Sequence, residues 1–175
     1  EPAMMLAIFT AAISAGSTNL SEIVSAGGGH LERFLEPAQA LAFAAMFIVL
    51  LAETGRIPVD NPATHLELTM IHEAMILEYS GRYLALLEWA ASIKQLVLFG
   101  LLANLFFPVG VGLGTTMADV AWGMLWLLVK LVGLAVAVVI VEFTNAKLRL
   151  FRVPDLMGAA FVLATLALVS MFLFR

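Results

Sequence analysis

The chain has no cysteine. It can therefore supply no disulfide, no thiolate zinc site and no iron–sulfur ligation. Charge is also scarce. Only 13% of the 175 residues are charged, about half the usual share of roughly 25% in soluble domains. No basic run is present and the net charge is −4, which disfavours nucleic-acid binding. The start at Glu1 lacks the basic segment of a signal peptide and runs straight into apolar sequence. It is read as the C-terminal part of a longer protein.

What is there is apolar: 62% of residues are hydrophobic. That much apolar surface with so little charge points to a bilayer rather than to water. Five apolar segments stand out, at about 2–15, 34–52, 93–107, 120–143 and 156–174. A spanning helix needs roughly 20 apolar residues, so the last two qualify readily and the first and third are short. The third is allowed a turn or two more upstream. The expected fold class is all-α: a polytopic transmembrane helix bundle, residues 1–175 forming one membrane domain.

The connections test that count. Arg56, Arg82 and Lys94 fall between the second and third segments, and Lys147, Arg149 and Arg152 follow the fourth. With five spans these two regions share a side, which the cation bias marks as cytoplasmic. Among the loops of the other side, 17–35 is acidic and glycine-rich with a single Arg33, and 108–119 has no cation.

Most of the polar chemistry lies in a loop of about 40 residues, 53–92, a length usually associated with function. It carries Glu53, Arg56, Asp60, His65, Glu67, His72, Glu73 and Glu78. Asn61 followed by Pro62 is a helix-start signal. Leu66, Met70, Ala74 and Leu77 then repeat at spacings of three and four. The pattern predicts a helix over about 62–80, stopped at Gly81. His72 and Glu73 resemble the opening of a zinc-protease helix, but Ile76 stands where the second histidine belongs, so no metal site is assigned. A solvated loop is the plain alternative for these charges. Against it, Glu53 and Arg56 sit one turn apart at the mouth of an apolar span, where they should face protein or a wet cavity.

Three ionisable residues fall within or beside the spans: Glu1, Lys130 and Glu142. A lysine near the bilayer centre costs about 2.5–3.5 kcal/mol, so Lys130 should face protein and find a partner. Glu142, about 18 Å further along the same helix, either marks the interface or joins a charged path. Lys94 is read as snorkelling from the start of the third span.

The string Glu53-x-x-Arg56-x-Pro58-x-Asp60, then Glu67, then Glu78-Tyr79-Ser80-Gly81, resembles the signature loop of the complex I subunit 1 family. That family includes the quinone-chamber subunit of NADH dehydrogenase and its relatives in formate hydrogenlyase and other group 4 nickel–iron hydrogenases. The resemblance runs through all 175 residues, over the last five of the family's eight spans. It implies that loop 53–92 folds against electron-transfer subunits on the cytoplasmic side. There it would open a charged path through the bilayer, with Glu1 resembling a membrane carboxylate of that path.

The chain departs from the quinone-reducing pattern. Val59 stands in place of Phe, Ala63 and His65 in place of Glu, and the loop is about three residues longer. The stretch from Asn61 to Glu73 looks more like the hydrogenase-4 and formate hydrogenlyase branch. Two lost carboxylates remove proton donors near a quinone. His65 and His72 instead place two groups that titrate near neutral pH about 10 Å apart along a helix face.

The resemblance implies a non-catalytic docking and energy-coupling subunit of a group 4 hydrogenase or formate hydrogenlyase-like complex, linked to proton or sodium translocation. It implies no cofactor in this chain, and iron–sulfur clusters and a nickel–iron centre in partner subunits. Those partners are hydrogenase-like large and small subunits, antiporter-like membrane subunits and lipid, with quinone left open. The implied location is the prokaryotic plasma (inner) membrane. One alternative is the quinone-chamber subunit of a complex I-type NADH dehydrogenase. Another class is an autonomous ion transporter, for which internal inverted repeats would be needed and none is visible.

Overall fold

A computed structural model describes residues 2–27, 36–59, 76, 78–111, 116–145 and 152–173. Those residues form six helices and no strand. The helices are α1 (Pro2–Ala15), α2 (Leu20–Gly27), α3 (Pro37–Glu53), α4 (Arg82–Phe106), α5 (Met117–Thr144) and α6 (Val153–Leu173).

Local chemistry explains several boundaries. Pro37 starts α3 at the position where a missing N–H costs nothing. Thr116 and Asp119 form a reciprocal capping box at the start of α5, with the Asp119 N–H donating to Thr116 Oγ1 at 3.3 Å. Gly110, at φ +71°, turns the chain between α4 and α5. A Cβ added there would stand 2.2 Å from the Trp126 ring, so the turn packs directly on α5.

Helices α1, α3 and α6 pack on one another, and α5 packs on α4, which in turn leans on α3. The first group meets through small side chains. Ala7, Ala42, Ala45, Ala160, Ala164 and Ala167 are fully buried. In α6 the three alanines recur at spacings of four and three, one stripe that lets backbones approach closely in a bilayer. Phe43 on α3 meets Phe106 and Phe107 edge-on, with ring centroids 5.7 and 5.3 Å away, and this joins the trio to the end of α4.

Helices α4, α5 and α6 are each long and apolar enough to cross a membrane. Helices α1 and α2 meet at a bend of 61° and qualify together as one broken span, while α3 is an apolar helix of 17 residues.

Three expectations need correction. The loop at 17–35 contains helix α2, and Ser17 Oγ, in the bend before that helix, donates to Glu22 Oε2 in its first turn at 2.5 Å. The third span begins at Arg82 instead of near residue 93, three turns earlier. Glu88 and Lys94 end the apolar run but not the helix, because Leu, Ala, Glu and Lys all favour helix. Lastly, Gly81 does not stop a preceding helix. It is the N-cap residue of α4 at φ +59°, and residues 78–80 before it are not helical. A glycine serves at either end of a helix, so its presence carries no direction. The rest of the helix expected at 62–80 lies outside the described residues.

Candidate functional site

The end of α3 sets the site. Gly55, at φ +61°, follows the C-cap Thr54. Its N–H donates to the Ala52 carbonyl at 3.2 Å, and the Arg56 N–H donates to the Leu51 carbonyl at 2.9 Å. That pair of bonds is the Schellman closure, in which the residue after the left-handed glycine is turned back against the helix. Here that residue is Arg56. The Thr54 Oγ1 donates to the Leu50 carbonyl at 2.7 Å, beside the Thr54 N–H that donates to the same oxygen at 3.0 Å. The chain then makes a turn closed by Val59 N–H to Arg56 O at 2.9 Å, with a cis bond between Ile57 and Pro58.

Arg56 reaches two other helices. One guanidinium nitrogen donates to Gln95 Oε1 on α4 at 3.3 Å, and another lies 3.6 Å from Glu142 Oε1 on α5. Glu142 Oε1 is buried and accepts no hydrogen bond within the normal distance. Among the described residues the cation beside this oxygen is the Arg56 guanidinium. Beside this, Lys94 Nζ donates to Glu53 Oε2 at 2.7 Å. Two ion pairs and the hydrogen bond to Gln95 thus tie the end of α3 to adjacent residues of α4 and to the last turn of α5.

The two pairs differ in environment. Lys94 is half exposed, so its pair contributes at most about 1 kcal/mol. Glu142 is only 22% exposed, so its pair lies nearer the regime in which losing one partner costs several kcal/mol. A second polar contact lies deeper, where Lys130 Nζ on α5 donates to Asn104 Oδ1 on α4 at 3.4 Å.

The sequence pattern places Arg56 against a carboxylate inside one cluster of Glu53, Arg56, Asp60 and Glu67. The structure joins it to Glu142 from a distant helix, and pairs Glu53 with the half-exposed Lys94. Glu78 is exposed and joins neither pair. Glu1, Asp60, His65, Glu67, His72 and Glu73 lie outside the described residues. The residues that sequence reasoning missed are Gly55, Gln95 and Asn104. The two amides had a signal: each is a neutral polar group in an otherwise apolar segment, the kind used as glue between membrane helices.

These features define an integral membrane protein of bundled helices, with an ionic layer where three helices meet and one lysine deeper in the apolar region. The sequence model of the family described as NADH dehydrogenase matches residues 1–174, and the chain belongs to that family. It is 32% identical to formate hydrogenlyase subunit 4 of Escherichia coli over 98% of this chain and 54% of that protein. It is 31% identical to hydrogenase-4 component C of the same organism, over 97% of this chain and 52% of that protein. With an NADH-quinone oxidoreductase subunit of Chlorobaculum parvum it shares 30% identity over 71% of this chain and 38% of that protein. The chain spans about half the length of the first two curated relatives.

Proposed function

We propose that the protein is the membrane docking and energy-coupling subunit of a group 4 nickel–iron hydrogenase, of the formate hydrogenlyase kind, in the prokaryotic plasma membrane. The observation that carries this reading is the similarity to formate hydrogenlyase subunit 4 and hydrogenase-4 component C along nearly the whole chain. Val59, Ala63 and His65 support it, standing where quinone-reducing relatives resemble one another in carrying Phe, Glu and Glu.

In this reading the chain carries no redox centre. Hydrogenase-like large and small subunits hold the iron–sulfur clusters and the nickel–iron site, and antiporter-like membrane subunits move protons or sodium. The exposed Tyr79, Tyr83 and Trp89 near the start of α4 offer aromatic surface to a partner or to the headgroup layer. The ionic layer joins Glu53 and Arg56, at the start of the segment 53–92, to Lys94 and Glu142. A unit charge arriving about 10 Å from the Glu142 carboxylate interacts with it by about 1.7 kcal/mol at an effective dielectric of 20, and the guanidinium 3.6 Å away offsets most of this, leaving roughly 0.4 kcal/mol. That is about a twofold shift for the intact pair, and more than tenfold only where the pair is broken. Loop 53–92 thereby relays charge without accepting electrons.

The test is to purify the complex from its native membrane and measure metal, flavin, hydrogen evolution and quinone reduction together. Nickel and hydrogen evolution without flavin are the expected result. Quinone-dependent turnover blocked by chamber inhibitors, with no nickel, would replace this reading with that of a complex I-type quinone-chamber subunit. The family description and the match to the Chlorobaculum protein favour that second reading.

A further inference from the structure

Lys130 stands near the middle of the 28-residue helix α5. Its ammonium has three hydrogens to donate. Among the described residues it meets one acceptor, the neutral amide oxygen of Asn104, at a long 3.4 Å. The acidic residues of its own helix, Asp119 and Glu142, lie about 16 and 18 Å away along the axis. Glu142 is taken by Arg56. Charge is thus matched at the edge of the bundle and unmatched at its middle, where lipid offers no compensation.

The side of α5 next to Lys130 is open. Leu134 and Val138 are the buried residues of this helix, about 40–80° round it from Lys130 on one side. On the other side, within roughly 60–120°, lie Val129, Gly133 and Val136. The two valines are more than half exposed, and a Cβ added at Gly133 would meet nothing within 4 Å. A glycine flanked by valines one turn from an unmatched cation allows close helix approach just where a counter-charge is needed.

We infer that this face of α5 receives a membrane-spanning helix of a neighbouring subunit, which places an Asp or Glu carboxylate against Lys130. The inference rests on the subunit reading above, and charge complementarity selects the occupant. The incoming helix packs on Val129, Gly133 and Val136, and its carboxylate accepts the hydrogens that Asn104 leaves unused.

The experiment uses the purified complex in lipid nanodiscs, with Gly133→Cys carrying a benzophenone maleimide, and Val136→Cys as a second position should the first fail to assemble. Irradiation and peptide mapping identify what lies against the face. The expected adduct is with a membrane-spanning peptide of another subunit that contains Asp or Glu. Adding Lys130→Met should lower its yield by about tenfold, the size of a strong interhelical polar contact, while Lys130→Arg retains it. Adducts only with lipid, with a second copy of this protein or with its own spans overturn the inference and leave the subunit reading intact. So does an adduct whose yield ignores Lys130→Met. A protein that purifies with no partner subunit overturns both, and is recognised before any cross-link is made.

Discussion

Helices α1, α3 and α6 meet through alanine, whereas α4 and α5 meet each other and α3 through charge and amides as well as through larger apolar and aromatic side chains. In the first region Ala7, Ala42 and Ala164 are completely buried, and its one fully buried polar side chain among the described residues, Thr10, is satisfied by the Leu6 carbonyl of its own helix. In the second region α4 buries Phe99, Leu102, Ala103, Leu105 and Phe106 near its end, α5 buries only Leu134 and Val138, and the contacts that fix α5 include Arg56–Glu142 and Lys130–Asn104, with Lys94–Glu53 between α4 and α3. The difference teaches how a bilayer sorts interactions. Hydrophobicity cannot drive helices together in lipid, so a static contact relies on close packing of small residues. A contact that must respond to charge needs groups whose energy depends on charge.

The largest expected effect is in the alanine region. Ala164→Leu forces extra methylenes between α6 and α3 and should destabilise the detergent-solubilised protein by about 3 kcal/mol, read as a lowered unfolding midpoint. An equally large change on the open face of α5, Val136→Phe, should move that midpoint by less than about 0.5 kcal/mol. Equal costs at the two sites would erase the contrast between the regions.

Next comes Arg56→Ala, which strands the Glu142 carboxylate. A half-buried pair falls between the roughly 1 kcal/mol ceiling for surface pairs and the 3–5 kcal/mol for buried ones, so about 2 kcal/mol is expected. The double variant Arg56→Ala/Glu142→Ala should recover part of that loss, and the coupling is measured by a double-mutant cycle. Strict additivity would mean that the pair contributes nothing.

Gly55→Ala tests the device that aims Arg56. Forcing a Cβ into the left-handed region costs about 1–2 kcal/mol. Because the Schellman closure sets the arginine's direction, the coupling energy of Arg56 with Glu142 should fall with it in the same cycle. Undiminished coupling in the Gly55→Ala background would show that the turn is not what positions the guanidinium.

The smallest effect is expected for Lys94→Ala. Its exposed pair with Glu53 should contribute below about 1 kcal/mol and fade as salt is raised, seen by comparing unfolding midpoints at low and high ionic strength. A salt-independent loss of several kcal/mol would place that pair in the same class as Arg56–Glu142.

The helical class was legible in composition, because a chain this apolar and this poor in charge has few other ways to satisfy its backbone in lipid. The ends of α5 and α6 were legible within a few residues for the same reason. The start of α4 was not, since an apolar-run criterion stops at Glu88 and Lys94 while the helix continues to Arg82. Nor was the direction of Gly81, which looks the same in sequence whether it closes one helix or opens the next. Within the site, the need for Arg56 to find a carboxylate could be read from its place at a span's mouth. Which carboxylate could not.

By itself, then, the sequence determined the inventory. It supplies no cysteine for redox ligation, a set of apolar spans, a few ionisable groups too costly to leave in lipid, and the Glu53–Arg56 turn with its glycine. Only the tertiary structure decided the pairing. Arg56 and Glu142 are far apart along the chain, and a local pattern reports faces and ends of helices, not which helix stands beside which. That choice depends on how α3, α4 and α5 cross, and small-residue packing and side-chain volume set that crossing. It therefore appears only when the helices are assembled.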